Sequence, residues 1–82
     1  MKISNFVDGL QILRSYYTGE DGYVIGAEHD VFFAHATDKP LPEVAVNRLN
    51  ELGWFQPDVP ATVNGDWKPE NYDPEEGWAA FT

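Results

Sequence analysis

Residues 23–36, with the sequence YVIGAEHDVFFAHA, contain two apolar runs on either side of a short polar centre. The runs cover residues 23–27 and 31–36, and both are rich in β-branched and aromatic side chains. Two such runs around a turn predict a β-hairpin. We expect a turn centred on His29. The predicted cross-strand pairs are then Ala27 with Val31 and Ile25 with Phe33.

Both faces of this predicted hairpin are apolar. The face with Val31, Phe33 and His35 is the bulkier one, and we expect it to pack on helices. The opposite face carries Phe32 and Ala34, whereas a ribbon with one wet face would show polar residues there. We therefore expect the C-terminal third of the chain to cover this second face.

The residues before the hairpin have the apolar spacing of a helix over residues 3–17. The inward stripe is predicted to contain Ile3, Phe6, Val7, Leu10, Leu13 and Tyr17. Gly9 lies inside this pattern, where glycine costs about 1 kcal/mol relative to alanine. We expect close packing of another backbone segment against this turn to explain the glycine.

A second helix is predicted to begin at Pro42, which suits the first helical position. Its inward stripe is Ala45, Leu49 and Leu52. Gly53 fits the left-handed position that ends many helices, and such an ending places the next residue, a tryptophan, against Leu49.

The last third of the chain is rich in proline, acidic residues and aromatic rings. A disordered acidic tail would be poor in aromatics, so we expect this segment to wrap the domain and to end in a strand at residues 78–81. The sequence thus predicts one α+β domain of 82 residues, with two helices packed on a small antiparallel sheet. The predicted order is α-β-β-α, then an irregular Pro-rich segment and a C-terminal strand. Residues 1–56 form the predicted αββα core and residues 57–82 the wrapping segment.

The charge of the chain narrows the classes of partner. Fourteen acidic residues against five basic ones give a net charge of −9. A protein that binds nucleic acid directly needs clustered Lys and Arg to neutralise phosphates, and an anionic membrane attracts basic segments. Both partners are therefore disfavoured, and a protein with a basic surface is favoured. With no cysteine, no signal-like apolar run and no membrane-length apolar segment, a cytoplasmic protein is expected.

The main predicted partner-binding surface is the acidic aromatic part of the C-terminal segment. Its residues are Asp66, Trp67, Glu70, Tyr72, Asp73, Glu75, Glu76 and Trp78. Trp and Tyr are favoured interface anchors, and acidic groups steer basic partners. The alternative is that these rings belong to the core and cover the hairpin, since most large rings of a small domain are buried.

Glu28, His29 and Asp30 in the hairpin turn form a secondary candidate site because they are compact and polar. A metal site there is disfavoured, since His35 lies about 20 Å further along an extended strand. We expect His35 to be a half-buried strand residue. The two serines lie on the first predicted helix, and no glycine-rich phosphate loop is present. We therefore predict no enzyme activity, no metal and no cofactor.

Three segments carry a resemblance: residues 22–30, residues 52–55 and residues 76–78. In these segments, in size and in charge, the chain resembles small conserved acidic proteins of unassigned function in bacteria and their phages. Their genomes also encode short acidic inhibitors of host or defence machinery. The resemblance implies an interaction role and transfers no catalytic residue.

The leading hypothesis is a small acidic interaction module, of the phage or prophage inhibitor type, that presents carboxylates and aromatics to a basic partner surface. One version is nucleic-acid mimicry, in which carboxylates take the place of phosphates. The alternative from another class is a small-ligand-binding protein or minor enzyme that uses a groove near His29, His35 and Tyr23. A structural or assembly role is the third hypothesis.

Overall fold

Two helices and four strands make up the described part of the chain. The computed structural model describes residues 1–18, 25–28, 30–59 and 67–81, apart from the side chains of Ile25, Ala27 and Glu28. The elements in chain order are α1 (Ile3–Arg14), β1 (Ile25–Glu28), β2 (Val31–Ala34), α2 (Glu43–Glu51), β3 (Trp54–Phe55), a single turn of 3-10 helix (Pro69–Asn71) and β4 (Trp78–Phe81). This arrangement confirms the predicted α+β class, with two helices and an antiparallel sheet.

The sheet has the strand order β1-β2-β4-β3, and each neighbouring pair is antiparallel. The C-terminal strand β4 covers the four predicted residues and lies between β2 and β3. Residues 57–82 therefore supply an inner strand of the sheet, rather than only a wrapping layer around a finished core. The short strand β3 was not predicted.

The predicted register of the hairpin is wrong by one residue. Glu28 pairs with Val31 and Gly26 with Phe33, so only two residues connect β1 to β2 where three were expected. Directly opposed residues in an antiparallel pair share a face, and a shift of one residue exchanges the faces of one strand relative to the other.

The faces of the sheet are also opposite to the prediction. Phe32 contacts Phe6 of α1 and Trp54 of β3, with ring centroids 4.9 and 6.0 Å apart, so the side with Phe32 and Ala34 packs on the helices. We call this side of the sheet the helix face. The side with Val31 and Phe33 is the outer face, and Phe33 is 38% exposed. The prediction chose the bulkier side as the core, did not include β3, and did not place the C-terminal strand beside β2.

The helix α1 is shorter than predicted and buries a narrower stripe. It ends at Arg14, three residues before Tyr17. Leu13 is buried, and Phe6 and Leu10 pack against the core, as expected. Ile3, however, is 82% exposed at the first position of the helix, where none of the described elements covers it. Val7 is exposed as well.

Gly9 is buried under the indole of Trp54. A Cβ atom built on Gly9 would lie 1.9 Å from Nε1 of Trp54. The expected close approach at this glycine therefore exists, but a side chain makes it rather than a second backbone segment. The Trp54 ring in turn stacks on Phe6 at a centroid distance of 5.7 Å.

The helix α2 follows its prediction closely. Leu49 and Leu52 are buried, together with Val46, whereas the predicted Ala45 is only partly buried. Gly53 has a φ of 96°, and its N–H donates to the carbonyl of Asn50 at 3.1 Å. The left-handed glycine lets the chain reverse from α2 directly into β3.

Candidate functional site

The predicted partner-binding rings are largely core residues. Trp67 is 8% exposed and Trp78 is 1% exposed. The Trp67 ring meets the Trp78 ring edge-to-face at 5.2 Å, and the Tyr72 ring stacks on Trp78 at 6.0 Å. Neither tryptophan offers its ring to a partner in this conformation. The alternative expectation, that large rings of this segment complete the core, holds for these two residues.

The buried side chain of Gln56 holds the C-terminal segment in place. Its Nε2 donates to the carbonyl oxygens of Asp73 and Glu76, at 2.7 and 3.1 Å. Its Oε1 accepts from the Asp73 N–H at 2.9 Å and from Nε1 of Trp67 at 3.2 Å. These four hydrogen bonds satisfy both the Nε2 and the Oε1 of the amide, and Gln56 is 1% exposed. We call this set of contacts the Gln56 clamp.

The clamp holds the first and last residues of a turn over residues 73–76. We call this turn the acidic turn. The Glu76 N–H donates to the carbonyl of Asp73 at 3.1 Å, and the Glu75 N–H donates to Oδ1 of Asp73 at 2.9 Å. Glu75 is exposed, and Asp73 and Glu76 are partly buried. Glu70 is exposed on the 3-10 helix, and Asp66 lies outside the described residues.

The structure describes the secondary candidate only in part. Asp30 is exposed next to the start of β2. His29 and the side chain of Glu28 lie outside the described residues, as does Tyr23 of the alternative groove. The role proposed for this turn stays a prediction. In the described part of the chain, no three His, Asp or Glu side chains are grouped closely enough to hold a metal ion.

A groove of about 400 Å³ opens at the outer face of the sheet, where β1, β2 and the residues after β3 come together. Gly26 and Phe33 contribute from the two strands of the hairpin, and His35 follows the end of β2. Asp58 and Glu75 bring two carboxylates to the same groove. The groove thus places exposed carboxylates and an imidazole beside an aromatic ring. His35 is exposed here, not half-buried as predicted.

An aromatic strip continues along the outer face from this groove. Phe55 and Phe81 stack at a centroid distance of 5.1 Å, and Phe81 is 59% exposed. Phe33 and Phe55 both pair with Ala79 across the sheet, so these rings share one face. Exposed apolar surface that continues over several residues commonly marks an interaction site.

Tyr17 connects the residues after α1 to His35, which follows the end of β2. Its hydroxyl donates to the carbonyl of His35. Close by, the Thr18 N–H donates to Oδ2 of Asp38 at 2.8 Å, and the Lys39 N–H donates to the carbonyl of Tyr16 at 3.1 Å. Burial raises the pKa of Tyr17 to about 12, and the negative charge of Asp38 adds to the shift.

This raised pKa predicts a loss of stability at high pH. The ordinary pKa of tyrosine is 10.0, so between pH 10 and about 12 the unfolded chain releases the Tyr17 proton while the folded chain retains it. The contribution of Tyr17 to the unfolding free energy should therefore be constant below pH 10 and should be lost as pH rises through that window. The Tyr17→Phe variant should show a smaller fall, measured by urea unfolding from pH 8 to 12. An equal fall in both proteins would contradict the assignment.

Sequence reasoning missed the Gln56 clamp and the outer-face groove. The one local signal for the clamp was a polar residue two positions after Trp54, which in a strand places both side chains on the same buried face. The groove had no local signal, because its residues come from four separate parts of the chain.

Two further observations do not depend on a particular site. No helix in the described ranges combines the length and the apolar character needed to cross a bilayer. Comparison of the chain with protein-family models, with curated proteins and with solved structures gave no match. The resemblance to small acidic bacterial and phage proteins therefore stays a prediction.

Proposed function

We propose that this chain is a small acidic interaction module that binds a basic surface of another protein. The observation that supports the proposal is the acidic turn, whose backbone the Gln56 clamp holds at three points. A turn that is ordered before binding loses little conformational entropy when a partner arrives. Glu75 then projects from a fixed backbone beside Asp58, and the net charge of −9 favours encounter with a cationic surface.

The same properties suit an inhibitor of the phage or prophage type. Such a protein would act by covering a basic surface that its target uses, with carboxylates at the contact. Nucleic-acid mimicry is one form of this action, with carboxylates replacing phosphates. In every form, the binding should weaken as ionic strength rises, because exposed charges separated by more than about 8 Å are screened at 0.15 M salt.

The test of this proposal is capture of partners from a lysate of the source cells, quantified by mass spectrometry at several salt concentrations. The double variant Glu70→Gln with Glu75→Gln removes two exposed charges next to or on the acidic turn. Each exposed charge contributes roughly 0.2–1 kcal/mol to a contact, so removal of two charges should lower the apparent affinity about twofold to thirtyfold.

The matched control is Asp8→Asn with Glu43→Gln, which removes the same charge from exposed positions of the two helices. We expect this control to retain most of the captured protein. Equal losses in the two double variants would mean that only net charge matters, and capture that does not depend on salt would contradict the proposal.

A small-ligand-binding protein is the second candidate function. The supporting observation is the groove, whose volume of about 400 Å³ is typical of small-molecule sites and which joins His35 to Asp58 and Glu75. This candidate would be favoured over the interaction module if a free small cation such as agmatine bound at least as tightly as any peptide.

A further inference from the structure

The outer-face groove and the aromatic strip beside it together have the chemistry of a peptide-binding surface. We propose that the groove binds the side chain of an arginine in an extended segment of the partner protein. This inference rests on the proposed interaction function and names the group of the partner that the site recognises. It is argued below from charge, ring exposure and space.

Charge selects the class of occupant. Two carboxylates, from Asp58 and Glu75, line the groove, and both residues are exposed. A second copy of this chain would bring its own net charge of −9 and would be repelled. Anionic groups are disfavoured for the same reason. A cationic side chain is the complementary occupant, because it forms charge-assisted hydrogen bonds with carboxylates.

The Phe33 ring favours arginine over lysine. This ring lines the groove and is 38% exposed. A planar guanidinium stacks on aromatic faces and donates two parallel hydrogen bonds to a carboxylate, whereas an ammonium is a compact and strongly hydrated charge. A groove with a ring on one side and carboxylates on another therefore matches the guanidinium better.

The aromatic strip indicates an extended segment rather than a free small cation. Alternate side chains of an extended chain point in the same direction, about 7 Å apart. An apolar residue two positions from the arginine can therefore contact the stacked Phe55 and Phe81 rings while the guanidinium occupies the groove. A free cation would use the groove and leave these rings uncovered.

Gly26 offers a way to block the groove without disturbing the fold. Apart from its two chain neighbours, a Cβ atom built on Gly26 meets nothing within 4 Å among the described residues, and the residue lines the groove on β1. Valine suits a strand and would project into this open space. The Gly26→Val variant should therefore keep the melting temperature of the native protein and bind the arginine side chain less tightly. Ser4→Val adds the same side chain to an exposed position on α1 and is the matched control.

The experiment is an NMR titration of the ¹⁵N-labelled protein with a capped peptide, Ala-Leu-Ala-Arg-Ala, and with the same peptide containing citrulline in place of arginine. The arginine peptide should shift the amide signals of Gly26, Phe33 and His35. We expect binding to weaken about tenfold in Gly26→Val, in Asp58→Asn with Glu75→Gln, and with citrulline, and to be unchanged in Ser4→Val.

Four outcomes would overturn the inference. Equal binding of the citrulline peptide would show that the charge is not recognised. Equal or tighter binding of agmatine would replace the peptide with a small cation. Shifts confined to residues around Glu70 would move the contact to another acidic surface, and the interaction module would stand while the groove assignment fails. Absence of peptide binding, together with salt-independent capture from lysate, would remove both proposals.

Discussion

Replacing Gly9 with alanine should destabilise the protein, although alanine is the better helix former. The added Cβ would lie 1.9 Å from Nε1 and 2.5 Å from Cε2 of Trp54, well inside contact distance. The indole is 1% exposed and packs against the rings of Phe6 and Phe32, which also contact each other, so it cannot move aside without disturbing the core. The overlap must be relieved by moving the helix or the ring.

The size of the effect follows from two opposing contributions. Alanine gains about 1 kcal/mol in helix propensity, whereas overpacking a core costs typically 1–3 kcal/mol and occasionally more. With several ring atoms inside 3 Å, the cost should lie at or above the upper end of that range. We expect a net loss of about 2 kcal/mol in unfolding free energy, which lowers the melting temperature by roughly 10 °C in a domain of this size.

The control for Gly9→Ala is Gly26→Ala, because a Cβ atom on Gly26 has no contact within 4 Å in the part of the chain that the structure describes, its two chain neighbours aside. This control should change the unfolding free energy by less than about 0.5 kcal/mol. A double-mutant cycle with Trp54→Phe identifies the opposing group: removal of the indole should reduce the cost of Gly9→Ala. An undiminished cost in the Trp54→Phe background would mean that the indole is not the cause.

The parts of the fold that local sequence determines could be predicted. Helix α2 and its ending depend on residues close together in the chain, above all the leucines of its inward stripe and Gly53, and each lies where expected. Strand β4 was also located correctly, since its bounds follow from a short apolar run after a turn. Its position between β2 and β3 was not predicted, because its pairing with β2 spans more than 40 residues and its pairing with β3 about 25, and neither leaves a local pattern.

The faces of the sheet and the candidate site depend on these long-range pairings. The face of Phe33 could be assigned only with the correct loop length and with the knowledge that β4 extends the sheet. A sequence pattern shows that a strand has two apolar sides but not which side the helices cover. For the same reason, the sequence alone could not decide whether Trp67 is a core residue or a partner-binding residue. Its contact with the buried Trp78 places it in the core.

Replacing Gln56 with alanine should cost about 3 kcal/mol of unfolding free energy and should release the acidic turn. The change removes the donor and the acceptor of the amide at once. The Trp67 indole N–H and the Asp73 N–H lose an acceptor, and the carbonyls of Asp73 and Glu76 lose a donor. A buried polar group left without a partner costs roughly 1–3 kcal/mol. The sum is less than four such penalties, because water can reach the partly buried backbone groups.

The Gln56→Glu variant separates hydrogen bonding from side-chain size. It keeps the acceptor atoms but places a second carboxyl oxygen where Nε2 now donates to two carbonyls. Burial and these carbonyls disfavour the ionised form, so the introduced carboxyl has a raised pKa in the folded state. The folded protein then binds the extra proton more readily than the unfolded chain. Its stability relative to the native protein should therefore be lowest near neutral pH and should recover as pH falls through that raised pKa.

The control for Gln56→Glu is Gln11→Glu, the same chemical change at an exposed position of α1, which should alter stability by less than about 0.5 kcal/mol. Hydrogen exchange should report the local consequence of Gln56→Ala, with faster exchange of the amides in residues 67–77 than in α2. If the acidic turn binds the partner because it is ordered beforehand, the same variant should also weaken capture at temperatures where the domain remains folded. Retained protection in residues 67–77 would show that other contacts hold the turn and that the Gln56 clamp is not its main support.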